Sequence, residues 1–248
     1  MLEAQDLRKS FGALTVTNRV SLEVARGERR VVLGPNGAGK TTLFNLLVGE
    51  LPADSGQIKI AGEDVTALSM DARARRGMAR SYQKNNLFSG LTVRENLSLS
   101  AACAQGKAKT VAMDSLRDAG VAETVREMAS LVGLTELLET SADSISYGAR
   151  RRLEVGLALA SRPRVLLMDE PTSGIGPGGI HAFHALLRGL PAELTIVIVE
   201  HDMDLAFDIA DRVTVMNFGE VVFDGPPQAA RESALVKDIY LGTWAEQP

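Results

Sequence analysis

Residues 34–42 read GPNGAGKTT, a G-x-x-x-x-G-K-[ST] spacing set between the apolar run RRVVL at 29–33 and the helical pattern TLFNLLVG at 42–49. The chemistry of that spacing is phosphate binding. Gly34, Gly37 and Gly39, with Pro35, Asn36 and Ala38 between them, let backbone N–H groups turn inward around phosphate oxygens. The helix that follows adds the partial positive charge of its N-terminus. Lys40 then reaches the β- and γ-phosphates, Thr41 offers a hydroxyl to Mg²⁺, and Thr42 completes the ATP-binding run. VLLMDE at 165–170 supplies the carboxylates this loop lacks. Asp169, at the end of an apolar run, is placed to hold the metal, and Glu170 to act as general base or water-orienting group against the γ-phosphate. The bland alternatives are a glycine-rich turn without a nucleotide and an acidic pair that merely opens a loop; the two motifs together favour the nucleotide.

Apolar runs at 29–33, 56–60, 164–168 and 195–199, several unbroken by polar residues, read as strands buried on both faces of a mostly parallel sheet. Helical patterns at 40–48, 177–189 and 202–210 alternate with them, which predicts an α/β core. Residues 2–7 and 14–24 are strand-like with partial alternation, and 213–223 reads as a hairpin turning around Phe218, Gly219 and Glu220. From about 86 to 160 the strand signal gives way to helical segments at 92–104, 109–131 and 149–161. The expected organisation is therefore an ATP-binding α/β core with an N-terminal antiparallel β subdomain (1–85 and 161–225), an inserted helical subdomain (86–160) and a C-terminal helical extension (226–248).

The 248 residues, 45% hydrophobic with a net charge of −4, bound a chain able to bury a substantial core and give no global reason to expect nucleic acid as a partner. A single cysteine, Cys103, excludes an internal disulfide and fits a reducing compartment. There is no export-type apolar segment at the N-terminus and no run near the roughly 18 apolar residues of a membrane span. The expected location is cytoplasmic, with any membrane role exercised through a partner.

Three further motifs, SYQ at 81–83, ISYGARRRLE at 145–154 and VEHD at 199–202, follow in an order and spacing that resemble the ATP-binding subunits of ABC transporters over almost the whole chain. The resemblance implies a P-loop NTPase core of the ABC type with an antiparallel β subdomain and an inserted α-helical subdomain, with ATP and Mg²⁺ as cofactors. It makes Gln83 the glutamine that senses the γ-phosphate and metal, and His201 the switch histidine on the γ-phosphate. Phe11, in RKSFG at 8–12, matches the aromatic that stacks on adenine, with a core phenylalanine as the alternative. Ser146, Tyr147 and Gly148 match the signature that binds the ATP of an opposite subunit. Tyr147 replaces a common glycine, and Ala149 and Arg150 depart from the usual residues. His181 and His184, at i and i+3 without a third ligand, are read as ordinary helix residues.

The same resemblance implies a second ABC ATPase chain, in a homodimer or a paralogous heterodimer, together with transmembrane permease subunits and a periplasmic substrate-binding protein. The chain would then lie peripherally on the inner face of the cell membrane. Leu87 and Phe88 are candidates for the permease contact, or for packing under the helical subdomain. SYQ, SYG, EHDM at 200–203 and VKDIYLG at 236–242 resemble importers of branched-chain and other hydrophobic amino acids, amides and urea. DARARRG at 71–77 and the YLG ending suggest the lipopolysaccharide-export ATPase as the alternative, and a soluble non-transport ABC ATPase is a more distant one. The loop SGIG resembles one that crosses the dimer interface and ends in Asp or Asn, a position that Gly176 leaves without a side chain. Weakened communication between two ATP sites is the expected consequence.

Overall fold

The computed structural model describes residues 1–81, 87–106, 118–201 and 203–244. Gln83, Tyr82, Asp202 and the first part of the helix expected over 109–131 lie outside the described residues. Two sheets organise the described chain. The first is antiparallel, in the order β2-β1-β4-β5, from β1 (Leu2–Phe11), β2 (Leu14–Val24), β4 (Ser55–Ile60) and β5 (Glu63–Asp64). The second, in the order β10-β9-β3-β8-β7-β6, contains β3 (Arg29–Leu33), β6 (Met78–Ser81), β7 (Val165–Asp169), β8 (Thr195–Val199), β9 (Arg212–Asn217) and β10 (Glu220–Gly225). It is parallel throughout except for the β9–β10 hairpin at its edge.

The unbroken apolar runs are explained by the covering of both faces of this second sheet. Val31, Leu166, Met168, Ile196 and Ile198 face one core, while Val32, Val165, Leu167, Val197 and Val199 face the other. The first core is closed by α3 (Val93–Ala104), α4 (Ala119–Leu131), α5 (Tyr147–Leu159), α6 (Pro177–Gly189) and α7 (Met203–Ile209). The second is closed by α1 (Lys40–Val48) and the antiparallel sheet. Two short helices, α2 (Met70–Ala74) and α8 (Pro227–Glu232), and the C-terminal α9 (Ala234–Trp244) complete the described helices.

Two expectations change. The run at 56–60 belongs to β4 and pairs antiparallel with β1, so it is not part of the parallel sheet. Its burial alternates rather than continuing along the strand, the mark of a strand with one face in the core. Strand β6 was not expected: MARS is four residues long, carries an arginine, and occupies the edge beside β7. Elsewhere the local chemistry matches the pattern. Thr92 and Glu95 form a reciprocal capping box at the start of α3. Phe218 and Gly219, both at positive φ, make the two-residue turn between β9 and β10. Arg73 of α2 is buried and donates to the carbonyls of Leu46 and Leu47, satisfying acceptors at the last turn of α1.

Candidate functional site

Strands β3, β6, β7 and β8 are mutually parallel, so their carboxyl ends lie along one edge of the sheet. Glycine geometry sets the loop after β3. Gly34, Gly37 and Gly39 all have positive φ, and Gly39 is the left-handed residue that opens α1. A Cβ on Gly34 would stand 2.3 Å from the Met216 carbonyl oxygen, and one on Gly39 would stand 2.5 Å from that of Val16. Strands β9 and β2 thus press on the loop through their backbones. Tyr240 of α9 lies beside Gly34, and burial pushes its phenol up to about 12. Helix α1 has no acidic residue in its first turn and no side-chain cap, so its first N–H groups are disposed toward an anion. Asn36, Gly37 and Thr41 are exposed, whereas Ala38 and Lys40 are buried, and Thr42 is half-buried. Lys40 Nζ donates to the carbonyl oxygens of Gly34 (2.6 Å) and Pro35 (3.1 Å). Burial lowers the Lys40 pKa, against the attraction of Glu170, Asp169 and Glu200.

Asp169, the last residue of β7, is 3% exposed. Its Oδ2 accepts a hydrogen bond from Arg80 Nη2 at 3.2 Å, while its buried Oδ1 has no hydrogen-bond partner among the described residues. Burial raises the Asp169 pKa; Arg80 opposes that shift and the Glu170 charge adds to it. Glu170 follows at φ 44°, a left-handed conformation rare for a glutamate, with its N–H donating to the Val199 carbonyl of β8. His201, just beyond β8, has its Nδ1 3.9 Å from Glu170 Oε1 and is mostly exposed. The fold therefore brings Lys40, Asp169, Glu170 and His201 together from three separate segments.

Two organising residues were not singled out from the sequence. Arg80 is one. The other is Glu200, fully buried, which accepts from the Thr172 N–H and hydroxyl and from the His201 N–H. It ties the loop after Glu170 to the end of β8, and burial raises its own pKa. A glutamate directly after an unbroken apolar strand was the available signal, visible in VEHD.

The signature region divides between cap and latch. Ser146 is the N-cap of α5, its hydroxyl accepting from the Ala149 N–H at 3.2 Å. Gly148 has open space where a Cβ would stand. Tyr147 turns toward its own chain: its hydroxyl donates to the Ser173 carbonyl at 2.9 Å and accepts from Arg151 Nε at 3.1 Å. Gly174, at φ 76°, leaves room for that ring, since its Cβ would meet the phenol oxygen at 2.9 Å. Arg151 is in turn paired with the buried Glu154. Ala149 is buried, and Arg150 folds back toward the Ile145 carbonyl. Gly176 is the N-cap of α6 at φ −65° with free space around it, so Asp or Asn would fit there and would cap the helix.

The two readings of Leu87 and Phe88 separate: Leu87 packs on the core and Phe88 is 61% exposed. Phe11, 49% exposed on the β1–β2 hairpin with Lys9 Nζ 5.7 Å from its ring centroid, is not a core phenylalanine. His184 lies against Asp208 within the helical layer, at 3.3 Å, as an ordinary helix residue would. Among the described residues no group of three His, Cys, Asp or Glu side chains could hold a metal by itself. No described helix is long and apolar enough to cross a membrane.

A family model described as ABC transporter matches residues 17–173. The high-affinity branched-chain amino acid transport ATP-binding protein BraF of Pseudomonas aeruginosa is 37% identical, the match covering 98% of each chain. The lipopolysaccharide export system ATP-binding protein LptB of Acidithiobacillus ferridurans is 34% identical, over 98% of this chain and 97% of its own. Among solved structures, the ADP conformation of MJ1267, an ATP-binding cassette of an ABC transporter, superposes with a TM-score of 0.84 at 28% identity and 98% coverage of each chain.

Tyr147→Phe should raise amide exchange across residues 171–176 by about 5-fold, the equivalent of one hydrogen bond of ~1 kcal/mol, with the melting temperature little changed. Unchanged exchange in that loop would show that the bond does not hold it. The raised Asp169 pKa has a signed consequence. Its contribution to stability is complete below the unfolded pKa and is lost as pH rises through the folded value. In chain free of metal and nucleotide, the melting temperature of Asp169→Asn relative to wild type should therefore climb as pH rises from the ordinary aspartate range through the raised value. A flat difference would contradict the shift.

Proposed function

This chain belongs to the ABC transporter family as an ATP-binding, ATP-hydrolysing subunit, and on that premise we propose that it energises the import of branched-chain or other hydrophobic amino acids, amides or urea. The observation that carries the catalytic part is the convergence of Lys40, Asp169, Glu170 and His201 at the carboxyl edge of one parallel sheet, beside an uncapped helix N-terminus. In this reading the backbone of residues 34–42 wraps the phosphates, Lys40 exchanges its carbonyl partners for phosphate oxygens, and Phe11 stacks on adenine. Glu170 takes a proton from the attacking water as its oxygen bonds to the γ-phosphorus, and the bond from that phosphorus to the β,γ-bridging oxygen breaks to release ADP and inorganic phosphate. His201 and Gln83 contact the γ-phosphate side, so both register whether that group is present.

The donor set fits Mg²⁺. A buried carboxylate oxygen without a partner, Asp169 Oδ1, is what a hard cation would coordinate, and Mg²⁺ is commonly held by one or two carboxylates plus substrate phosphates. Thr41, Asp169 and Gln83 are the proposed ligands. The metal would neutralise phosphate charge as it develops. Asp169 keeps its oxygen presented, and Lys40 adds a positive charge beside the phosphates.

A second cassette, identical or paralogous, is proposed to complete each site through Ser146 and the backbone at Tyr147 and Gly148. The open space at Gly148, in the first turn of the helix that Ser146 caps, supports that role. Residues 86–160 act as the helical unit that carries this surface. Permease subunits would meet it near the exposed Phe88, placing the chain at the inner face of the membrane. A periplasmic binding protein would deliver the substrate. Importer subunits from Pseudomonas aeruginosa and Salmonella typhimurium, at 37% and 33% identity, favour import. The LptB likeness at 34% keeps lipopolysaccharide export as the second reading.

Glu170→Gln should retain ATP affinity by calorimetry, lower phosphate release by about 100-fold or more, and accumulate as an ATP-bound dimer on size exclusion. Turnover near the wild-type rate would remove Glu170 as the base. For the cargo, deletion of the gene should abolish high-affinity uptake of labelled leucine while lipopolysaccharide still reaches the cell surface. The opposite pair of results would favour the export reading.

A further inference from the structure

Arg80 sits on the edge strand β6, yet its side chain is only 11% exposed, and its guanidinium spans three parts of the fold. Nη1 donates to Asn45 Oδ1 on α1 at 2.8 Å and to Glu50 Oε2 at 2.6 Å, just past that helix. Nη2 donates to Asp169 Oδ2 at the end of β7, at 3.2 Å. Arginine and carboxylate commonly pair through two parallel bonds. Here the second nitrogen is committed to α1 and the turn after it, so Asp169 is held by a single oxygen. The other oxygen, Oδ1, is left buried and without a hydrogen-bond partner among the described residues.

We propose that Arg80 is a positioning residue for the metal carboxylate. By fastening Asp169 Oδ2 to the helix that opens with Lys40, it fixes the rotamer in which Oδ1 is presented to Mg²⁺. The inference rests on the reading of Asp169 as a metal ligand. Asn45 is itself well anchored, because its carbonyl oxygen accepts from the N–H groups of Gly49, Glu50 and Leu51. The arginine therefore transmits the position of a rigid helix end, and the fork is essential to that. A lysine ammonium in the same place could approach Asp169 or Asn45, but it has no planar pair of nitrogens to hold both. Charge alone predicts the reverse effect, since a cation beside a metal ligand repels the metal and its removal would tighten Mg²⁺ binding.

These two accounts separate in a titration of the full-length chain. The affinity of a fluorescent ATP analogue is measured with chelator and then across increasing Mg²⁺, for wild type, Arg80→Met, Arg80→Lys and Asp169→Asn. Affinity in chelator should stay within about 2-fold of wild type in both Arg80 variants, because the guanidinium is engaged with Asn45, Glu50 and Asp169; Asp169→Asn removes a charge that acts on Lys40 and is read only by its Mg²⁺ requirement. The Mg²⁺ concentration giving half of the affinity gain should rise about 10-fold or more in both Arg80 variants, the usual cost of losing an outer partner of a metal ligand. An unchanged or lower Mg²⁺ requirement in Arg80→Met, or full retention of wild-type behaviour in Arg80→Lys, would overturn the proposal. If Arg80→Met does not fold, Arg80→Lys decides between fork and charge. An Asp169→Asn variant with a wild-type Mg²⁺ requirement would remove the metal-ligand reading together with the proposal. A defect in Asp169→Asn alone would remove the proposal and leave that reading standing.

Discussion

A carboxylate brought to the end of a sheet that is covered on both faces is the constraint around which the site is arranged. The parallel strands use their backbone groups in the ladder and their side chains in two apolar cores, so charge emerges only where the strands end. Lys40, Asp169 and Glu200 all emerge there, and burial pushes each toward its neutral form. The opposite charges of Lys40 and Arg80 offset part of that cost, and the hydrogen bonds to Glu200 offset more. A buried oxygen left without a partner, as at Asp169, costs about 1–3 kcal/mol in a neutral group and more in a charged one. A fold optimised for stability alone would not keep it.

Backbone contact, more than side-chain packing, gives the phosphate loop its shape. The carbonyl oxygens of Met216 and Val16 stand 2.3 and 2.5 Å from where the Cβ atoms of Gly34 and Gly39 would be, so β9 and β2 act directly on the loop. The tip of the β9–β10 hairpin adds a bond from the Gly219 N–H to the Ala38 carbonyl. Substitution at either loop glycine would therefore displace a neighbouring strand as well as strain φ. The N-terminal antiparallel sheet is joined to the nucleotide site by these contacts, with Phe11 on the hairpin that brings Val16 to Gly39.

On the helical side, Tyr147 resolves a tension in the signature. A tyrosine in place of a common glycine has its ring directed to the loop that follows Glu170, where Gly174 makes room for it and the Ser173 carbonyl accepts a hydrogen bond from its hydroxyl. The start of α5 and that loop are thereby joined within one chain. Gly176 contributes no side chain to the same loop. Glu200 fastens the loop from the other side through Thr172. Between them these two residues hold the segment in which Glu170 adopts its left-handed backbone.

The phosphate loop, the acidic pair, the parallel core and the helical insertion were legible in the sequence, because each is written in local spacing. Glycine positions dictate a turn, an unbroken apolar run dictates burial on both faces, and the 3.6-residue period dictates a helix. Strand β6 was not legible, since four residues including an arginine carry no periodic signal, and β4 was assigned to the wrong sheet because strand partners are not encoded in one strand. The roles of Arg80 and Glu200 required the tertiary structure for the same reason. Arg80 meets Asn45 and Asp169 across 35 and 89 positions of chain, and Glu200 meets Thr172 across 28. Local sequence determined which groups could do the chemistry. Only the packing of distant segments decided which of them are buried, paired and turned toward one another, because those energies depend on neighbours that the chain brings together only when it folds.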